Sequence, residues 1–198
     1  LGGVPGVPPA DVAILGGGVA GSHAALISAG MGATVTVIDR NPDVLRRVST
    51  QLGARVRTVF STSDAIETLC RRADLVIASV LIPGAAAPKL ITADTVKAMK
   101  PGSVIVDLAA EQGGNCALTE PGQEVVRHGV TIMGPTNLPS TMPFHASQMY
   151  ARTVTSFLAH LLRDGTVQVE LDDDLTRGPL VTHRGEVVHP AVKAALGP

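Results

Sequence analysis

Three glycines and one aspartate carry the strongest chemical signal in this chain. Gly16, Gly18 and Gly21 stand in a G-x-G-x-x-G pattern directly after the apolar run Val12-Ala13-Ile14-Leu15. Position 16 must turn sharply out of a strand, position 18 must let a ligand approach the main chain, and position 21 must let a helix lie against that strand. Val19 and Ala20 open the helix. Its first N–H groups have no partner inside it, and its dipole aims positive charge at the same point, which suits a phosphate. Asp39 closes a second apolar run at about the spacing of an acid that accepts hydrogen bonds from a ribose. The combination predicts a dinucleotide site. A carboxylate at position 39 favours NAD(H), because a 2′-phosphate would meet a like charge. Arg40 could hold such a phosphate, but Asp39 takes the strand end itself, so NAD(H) is the expected cofactor.

Those residues need a sheet to position them. Residues 12–15 read as a buried strand, 20–31 as a helix ended by Gly30 and Gly32, and 34–38 as a second strand. Asn41 and Pro42 suit the cap and first position of a helix whose Val44, Leu45, Val48 and Leu52 share a face. Residues 55–60 read as strand three. Ser63 and Asp64 precede a helix with Ala65, Ile66 and Leu69 facing inward, and the apolar run 75–80 is strand four. Thr92 caps a short helix to Met99, residues 103–108 form strand five, and residues 130–133 strand six. The alternation predicts an α/β fold, a Rossmann-type doubly wound parallel sheet with helices on both faces. Beyond it, residues 144–162 carry a helical stripe of Met149, Val154, Phe157, Leu158 and Leu161, and residues 180–188 suggest a hairpin. A membrane span competes for residues 12–38, which contain no Asp, Glu, Lys or Arg. Glycines at 16, 17, 18, 21, 30 and 32 interrupt that stretch, whereas a span needs about 20 apolar residues in one helix.

Composition narrows the function classes. The chain has 198 residues, is 45% hydrophobic and carries a formal net charge of -1. That suits one full-cored domain with an appendage. A near-neutral balance without a basic run argues against nucleic acid, and 2% aromatics leaves few platforms for stacking bases. Two isolated cysteines, Cys70 and Cys116, suggest a reducing compartment without a disulfide framework.

In a doubly wound sheet, ligands lie beyond the carboxyl ends of the strands. Strand four leads to Val80 and Leu81, strand five to the loop carrying Glu111, and strand six to Asn137 and Leu138. The last two loops are expected to flank the nicotinamide. Glu111 is the candidate catalytic residue, placed to bond the nicotinamide ribose or orient a substrate; it could equally be a loop acid held by main-chain N–H groups. Asn137 could bind the carboxamide or ribose, or simply stabilise a turn. Cys116 lacks a histidine close in sequence and reads as a structural thiol. His145 reads as a cap or solvent residue. His183 and His189 lack metal-ligand spacing, and Asp172-Asp173-Asp174 reads as a solvated turn, so no metal is expected.

Longer motifs carry a family resemblance. Val7-Pro8-Pro9 with the run 12–21, the segment Val80-Leu81-Ile82-Pro83-Gly84 with Ala87-Pro88-Lys89-Leu90-Ile91-Thr92, the stretch 96–115, and Gly134 with Thr136-Asn137-Leu138-Pro139-Ser140 resemble the alanine dehydrogenase/proton-translocating NAD(P) transhydrogenase α-subunit family. The resemblance covers nearly the whole chain. It implies that Gly16, Gly18, Asp39, Val80, Leu81 and Asn137 contact NAD(H), and that Glu111 stands where alanine dehydrogenases carry an aspartate. Residues 1–9, rich in Gly and Pro and without a period, read as a loop or linker. The resemblance adds a domain plan: an NAD(H)-binding domain over 10–143, and over 144–198 a returning helix and tail of a first domain otherwise outside this sequence. Residues 109–116, 146–150 and 177–183 resemble the transhydrogenase branch. Residues 1–6 and the short span from Asp39 to Asp74 resemble alanine dehydrogenase.

Chemistry orders the readings. Oxidative deamination needs positioned acids and bases, whereas hydride transfer between two nicotinamides needs only aligned rings with water excluded. Without an obvious catalytic lysine or histidine, the chain is expected first to be the NAD(H)-binding portion of a transhydrogenase. Second comes the cofactor domain of an alanine dehydrogenase, and third a non-catalytic nucleotide-binding module. The expected setting is cytoplasmic, as a homo-oligomer, with membrane-embedded partner subunits under the first reading. The isolated chain is expected to bind NAD(H) without turnover.

Overall fold

A computed structural model describes residues 1–197, which divide into two compact units, residues 1–137 and 138–197. The first unit holds a seven-stranded sheet. Its strands are β1 (Asp11–Leu15), β2 (Thr34–Asp39), β3 (Val56–Phe60), β4 (Leu75–Ala78), β5 (Val104–Asp107), β6 (Glu124–Arg127) and β7 (Val130–Met133), in the order β3-β2-β1-β4-β5-β7-β6. Every neighbouring pair is parallel except β6 with β7. This is the doubly wound, dinucleotide-binding arrangement, with an antiparallel strand added at one edge.

Alternation along each strand explains why both faces are covered. Ala13 and Leu15 of β1 point to one side, where Ile66 and Cys70 of α3 (Ser63–Arg72) and Val96 of α4 (Ala93–Lys97) close the core. Val12 and Ile14 point to the other, against Ala25 of α1 (Val19–Gly30) and Val48 and Leu52 of α2 (Pro42–Leu52). A strand buried on both faces reads as one continuous apolar run, as this one does. Helix α1 packs on the sheet through Gly21, Ala25 and Ser28, all small, so its axis can come close. Asn41 caps α2 by accepting the Asp43 N–H (2.9 Å), with Pro42 in the first turn, and Thr92 caps α4. Residues 12–38 are therefore a strand, a helix and a strand, and among the described residues no helix is long and apolar enough to cross a membrane.

Several expected boundaries shift. Strand four ends at Ala78, not Val80, where its ladders with β1 and β5 both end. Helix α3 is capped by Thr62, which accepts the Ala65 N–H (3.1 Å), and Ser63 already lies inside it. The edge strand β6 has no counterpart among the expected elements; only Val125 and Val126 of its four residues are apolar. Residues 1–9 are not featureless, since Val4 and Val7 pair across a tight turn.

The second unit contains the 19-residue helix α5 (Pro143–Leu161), a short hairpin of β8 (Leu162–Arg163) and β9 (Thr166–Val167), helix α6 (Asp174–Arg177), a hairpin of β10 (Thr182–His183) and β11 (Glu186–Val187), and helix α7 (Pro190–Leu196). The second hairpin falls inside the expected one. Asp173 caps α6, accepting from Thr176 N–H (2.8 Å) and Oγ1 (2.6 Å), and also lies 2.7 Å from His160 Nε2. The Thr176 hydroxyl, then His160, hold its carboxyl well below the usual range.

At the amino ends of the strands, Asp74 accepts the Asp11 N–H (2.8 Å) and pairs with Lys100 (2.8 Å). Burial opposes its charge, but the Lys100 and Asp11 hydrogen bonds and the Lys100 charge prevail and lower its pKa. A carboxyl depressed in the folded state stabilises the fold above its unfolded pKa and loses that contribution as pH falls through the folded value. Urea titrations should therefore find Asp74→Asn less stable than the parent at neutral pH, with the gap closing as pH falls below the usual carboxylate range.

Candidate functional site

The turn out of β1 is built almost wholly from main chain. Gly16 has φ +96° and donates its N–H to Ile38 O (2.8 Å), which ties the turn to the end of β2. Gly17 N–H donates to Asp39 Oδ2 (2.8 Å), and Asn41 N–H donates to Asp39 Oδ1 (2.8 Å). The Asp39 carboxylate is thus clamped between the glycine turn and the start of α2. Each oxygen accepts one of these bonds and keeps lone-pair capacity for a hydroxyl. Ser79 supports the turn from below: its Oγ donates to Leu15 O (3.0 Å) and lies 3.2 Å from Gly16 O. Arg47 reaches Gly17 O (3.1 Å).

The glycines divide into two kinds. A Cβ on Gly21 would lie 1.8 Å from Gly16 O, so the close helix–strand approach forbids any side chain there. A Cβ on Gly18 would meet no protein atom within 4 Å. The space beside Gly18 is open, at the amino end of α1, where no side chain caps the helix. This is a cradle that fits a diphosphate.

A cleft of about 300 Å³ opens over the turn. Gly16, Gly18, Asp39, Arg40, Val80 and Leu81 all line it, so six of the expected cofactor contacts converge. Val19 and Ala20 do not line it; they are exposed in the first turn of α1 and offer only main-chain groups to the cradle. Ser61, Ser79 and Pro88 also line the cleft, none of which the sequence marked. Ser61 directly follows β3, a signal that the strand-end rule could have supplied.

Glu111 and Asn137 lie outside that cleft but are joined to each other. The Asn137 N–H donates to Glu111 Oε1 (2.5 Å), and Asn137 sits in the left-handed region at φ +49°. The loops after β5 and β7 are tied through this carboxylate, which matches the bonding given as the plainer role of Glu111. Leu138 belongs to the second unit, at the start of a short turn, and is exposed. Cys116 is buried, which pushes its thiol pKa up, and burial first and Cys116 second push the Cys70 thiol up to about 12. Neither is a nucleophile in this state. His145 is exposed near the start of α5 with its ring edge-on to Phe144. His183 lies in β10, and His189 precedes α7.

Against known proteins, a family model described as "Alanine dehydrogenase/PNT, C-terminal domain" matches residues 1–190. The alanine dehydrogenase of Halomonas elongata is 41% identical over 201 aligned residues, which cover 100% of this chain and 54% of that protein. A solved L-alanine dehydrogenase superposes with TM-score 0.89 and 39% identity over 99% of this chain and 55% of that one. A solved transhydrogenase from Sinorhizobium meliloti superposes with TM-score 0.80 and 32% identity over 92% of this chain and 53% of the other. This chain thus spans about half the length of each of these proteins.

The two glycines separate fold from site. Thermal or urea unfolding should show Gly21→Ala destabilised by about 2 kcal/mol or more through the backbone clash, and Gly18→Ala by no more than about 1 kcal/mol.

Proposed function

The chain belongs to the alanine dehydrogenase/PNT C-terminal domain family, and on that footing we propose that it is the NAD(H)-binding domain of an alanine dehydrogenase. The observation that most supports the cofactor is the Asp39 carboxylate, anchored to the glycine turn and facing the cleft. Its charge suits two ribose hydroxyls and opposes a 2′-phosphate. Gly16, Gly18 and the first amides of α1, at Val19 and Ala20, would hold the diphosphate. Val80 and Leu81 would pack against the adenosine half, with Arg40 at the rim. Asn137 would serve the nicotinamide half. Glu111 would keep the Asn137 turn in place there and present its second oxygen to a ribose hydroxyl or a substrate.

Bound NAD⁺ would supply the acceptor for the hydride of Cα of L-alanine once its ammonium group has given a proton to solvent or a base; water would then convert the iminium to pyruvate and ammonium. The chain's own part is to bind and orient. No catalytic lysine or histidine stands out in the motifs, which by itself would favour the transhydrogenase. The chain spans about half the length of its relatives, however, so the lack of such a residue among its motifs does not decide between the two. The higher identity and fuller coverage of the alanine dehydrogenases also support the second reading over the first. The transhydrogenase remains the second reading, supported by residues 109–116 and by the Sinorhizobium meliloti structure.

Binding is tested on the chain itself by NADH fluorescence titration. Asp39→Ala should weaken NADH by about 1–2 kcal/mol through lost charge-assisted hydrogen bonds, and unchanged affinity would exclude its ribose role. Gly18→Ala should weaken NADH while leaving the fold standing. The branch is tested in a longer protein that carries this chain. Alanine-dependent reduction of NAD⁺ supports the proposal; hydride transfer from NADH to a thio-analogue of NADP without any alanine activity would replace it with the second reading.

A further inference from the structure

One wall of the cleft is neither helix nor strand. Val80, Leu81, Pro88 and Leu90 line it from the segment that follows β4. Irregular backbone at a half-buried wall must still find partners for the N–H and C=O groups it turns away from water. The ladder between β4 and β5 ends where Leu108 N–H donates to Ala78 O (2.8 Å). Two residues further along the wall the next rung is a side chain. Asn115 Oδ1 accepts the Val80 N–H (3.0 Å) and Asn115 Nδ2 donates to Val80 O (2.9 Å), so one amide pairs with both groups of one residue, as a neighbouring strand would. The same Nδ2 donates to Pro88 O (3.0 Å), and the Asn115 carbonyl accepts the N–H groups of Leu90 (2.8 Å) and Ile91 (3.0 Å). Asn115 is 0% exposed.

The seam continues on both sides. Ala87 N–H donates to Gln112 O (2.8 Å), and Lys89 Nζ donates to the carbonyls of Gly113 and Cys116. Gln112 is next to Glu111, whose carboxylate holds the Asn137 turn. The buried Asn115 amide therefore stands between this wall of the cleft and the loop that carries Glu111.

We propose that Asn115 is a positioning residue for the cofactor: its amide closes residues 80–91 onto residues 112–116 and so sets the wall against which the adenosine half packs. The proposal rests on the assignment of the cleft to NAD(H). An apolar residue of equal volume would fill the space but would leave two carbonyls and one N–H unpartnered, and the wall would drift. An aspartate keeps the shape and accepts the Val80 N–H. While ionised it cannot donate to Val80 O or Pro88 O; once protonated it can serve one of them.

The test compares the wild-type chain, Asn115→Asp and Ile132→Val, the last a fully buried β7 change away from the cleft lining. ADP-ribose affinity is measured by calorimetry at about pH 8 and about pH 5.5, well below each melting temperature. Asn115→Asp should bind about tenfold or more weakly at the higher pH and recover affinity at the lower one, while Ile132→Val binds like wild type at both. Equal binding by Asn115→Asp and wild type at both values overturns the proposal, as does an equal loss in Ile132→Val. A wild-type chain that does not bind ADP-ribose ends the NAD(H) assignment and the proposal with it. Should Asn115→Asp not fold, amide exchange in the wild-type chain decides. Added ADP-ribose should slow exchange at Val80, Leu90 and Ile91 together, and slowing at Val80 alone overturns the proposal.

Discussion

At the first crossover the main chain passes so near itself that a methyl group on residue 21 would sit 1.8 Å from the Gly16 carbonyl oxygen. Much else follows from that approach. It lets α1 lie on β1 through Ala25 and Ser28 as well, and it sets the amino end of the helix over the carboxyl end of the sheet. It also brings the Gly17 N–H within 2.8 Å of Asp39 at the end of the neighbouring strand. Asp39 then reaches the Asn41 N–H, so the second helix is registered to the same turn. Glycines carry an entropic cost on folding. Here it is offset by strands whose residues are buried on both faces, as Val12 to Leu15 are.

This part of the molecule is legible in sequence because its rules are local. A buried parallel strand must be apolar throughout, a close helix needs small residues at the contact, and a helix start needs a cap. Those demands fall on residues adjacent in the chain, and Val12–Leu15, Gly21 and Asn41 carry them visibly. The strand-end rule likewise brought Val80 and Leu81 to the cleft with Asp39 and Arg40, although they are far apart in sequence.

What escaped the sequence depends on contacts between distant segments. Ser79 looks like a small residue in an apolar run, yet its hydroxyl supports the glycine turn. Strand four reads as continuing to Val80 because the backbone there does stay paired, but to an amide rather than to a strand. Strand β6 is short and half polar, so no period marks it; it exists because β7 presents an edge. The branch of the family is harder still. It turns on acid–base groups, and no residue of this chain marks itself as one by its spacing.

The connection from β5 to β7 contains no α-helix among the described residues; a short turn, a long loop and the edge strand β6 take its place. Helices satisfy their own backbone, whereas a loop that covers a sheet has to borrow. Asp107, 0% exposed, lends its carboxylate to the N–H groups of Ala109 (3.1 Å) and Cys116 (2.9 Å) and to the Thr119 hydroxyl (2.6 Å). This stretch is therefore governed by an unusual asymmetry. Its exposed tips can lengthen or shorten over generations without breaking any regular element, but each buried polar anchor within it is nearly irreplaceable. Variation in the family should accumulate here as insertions and deletions rather than as substitutions at the anchors.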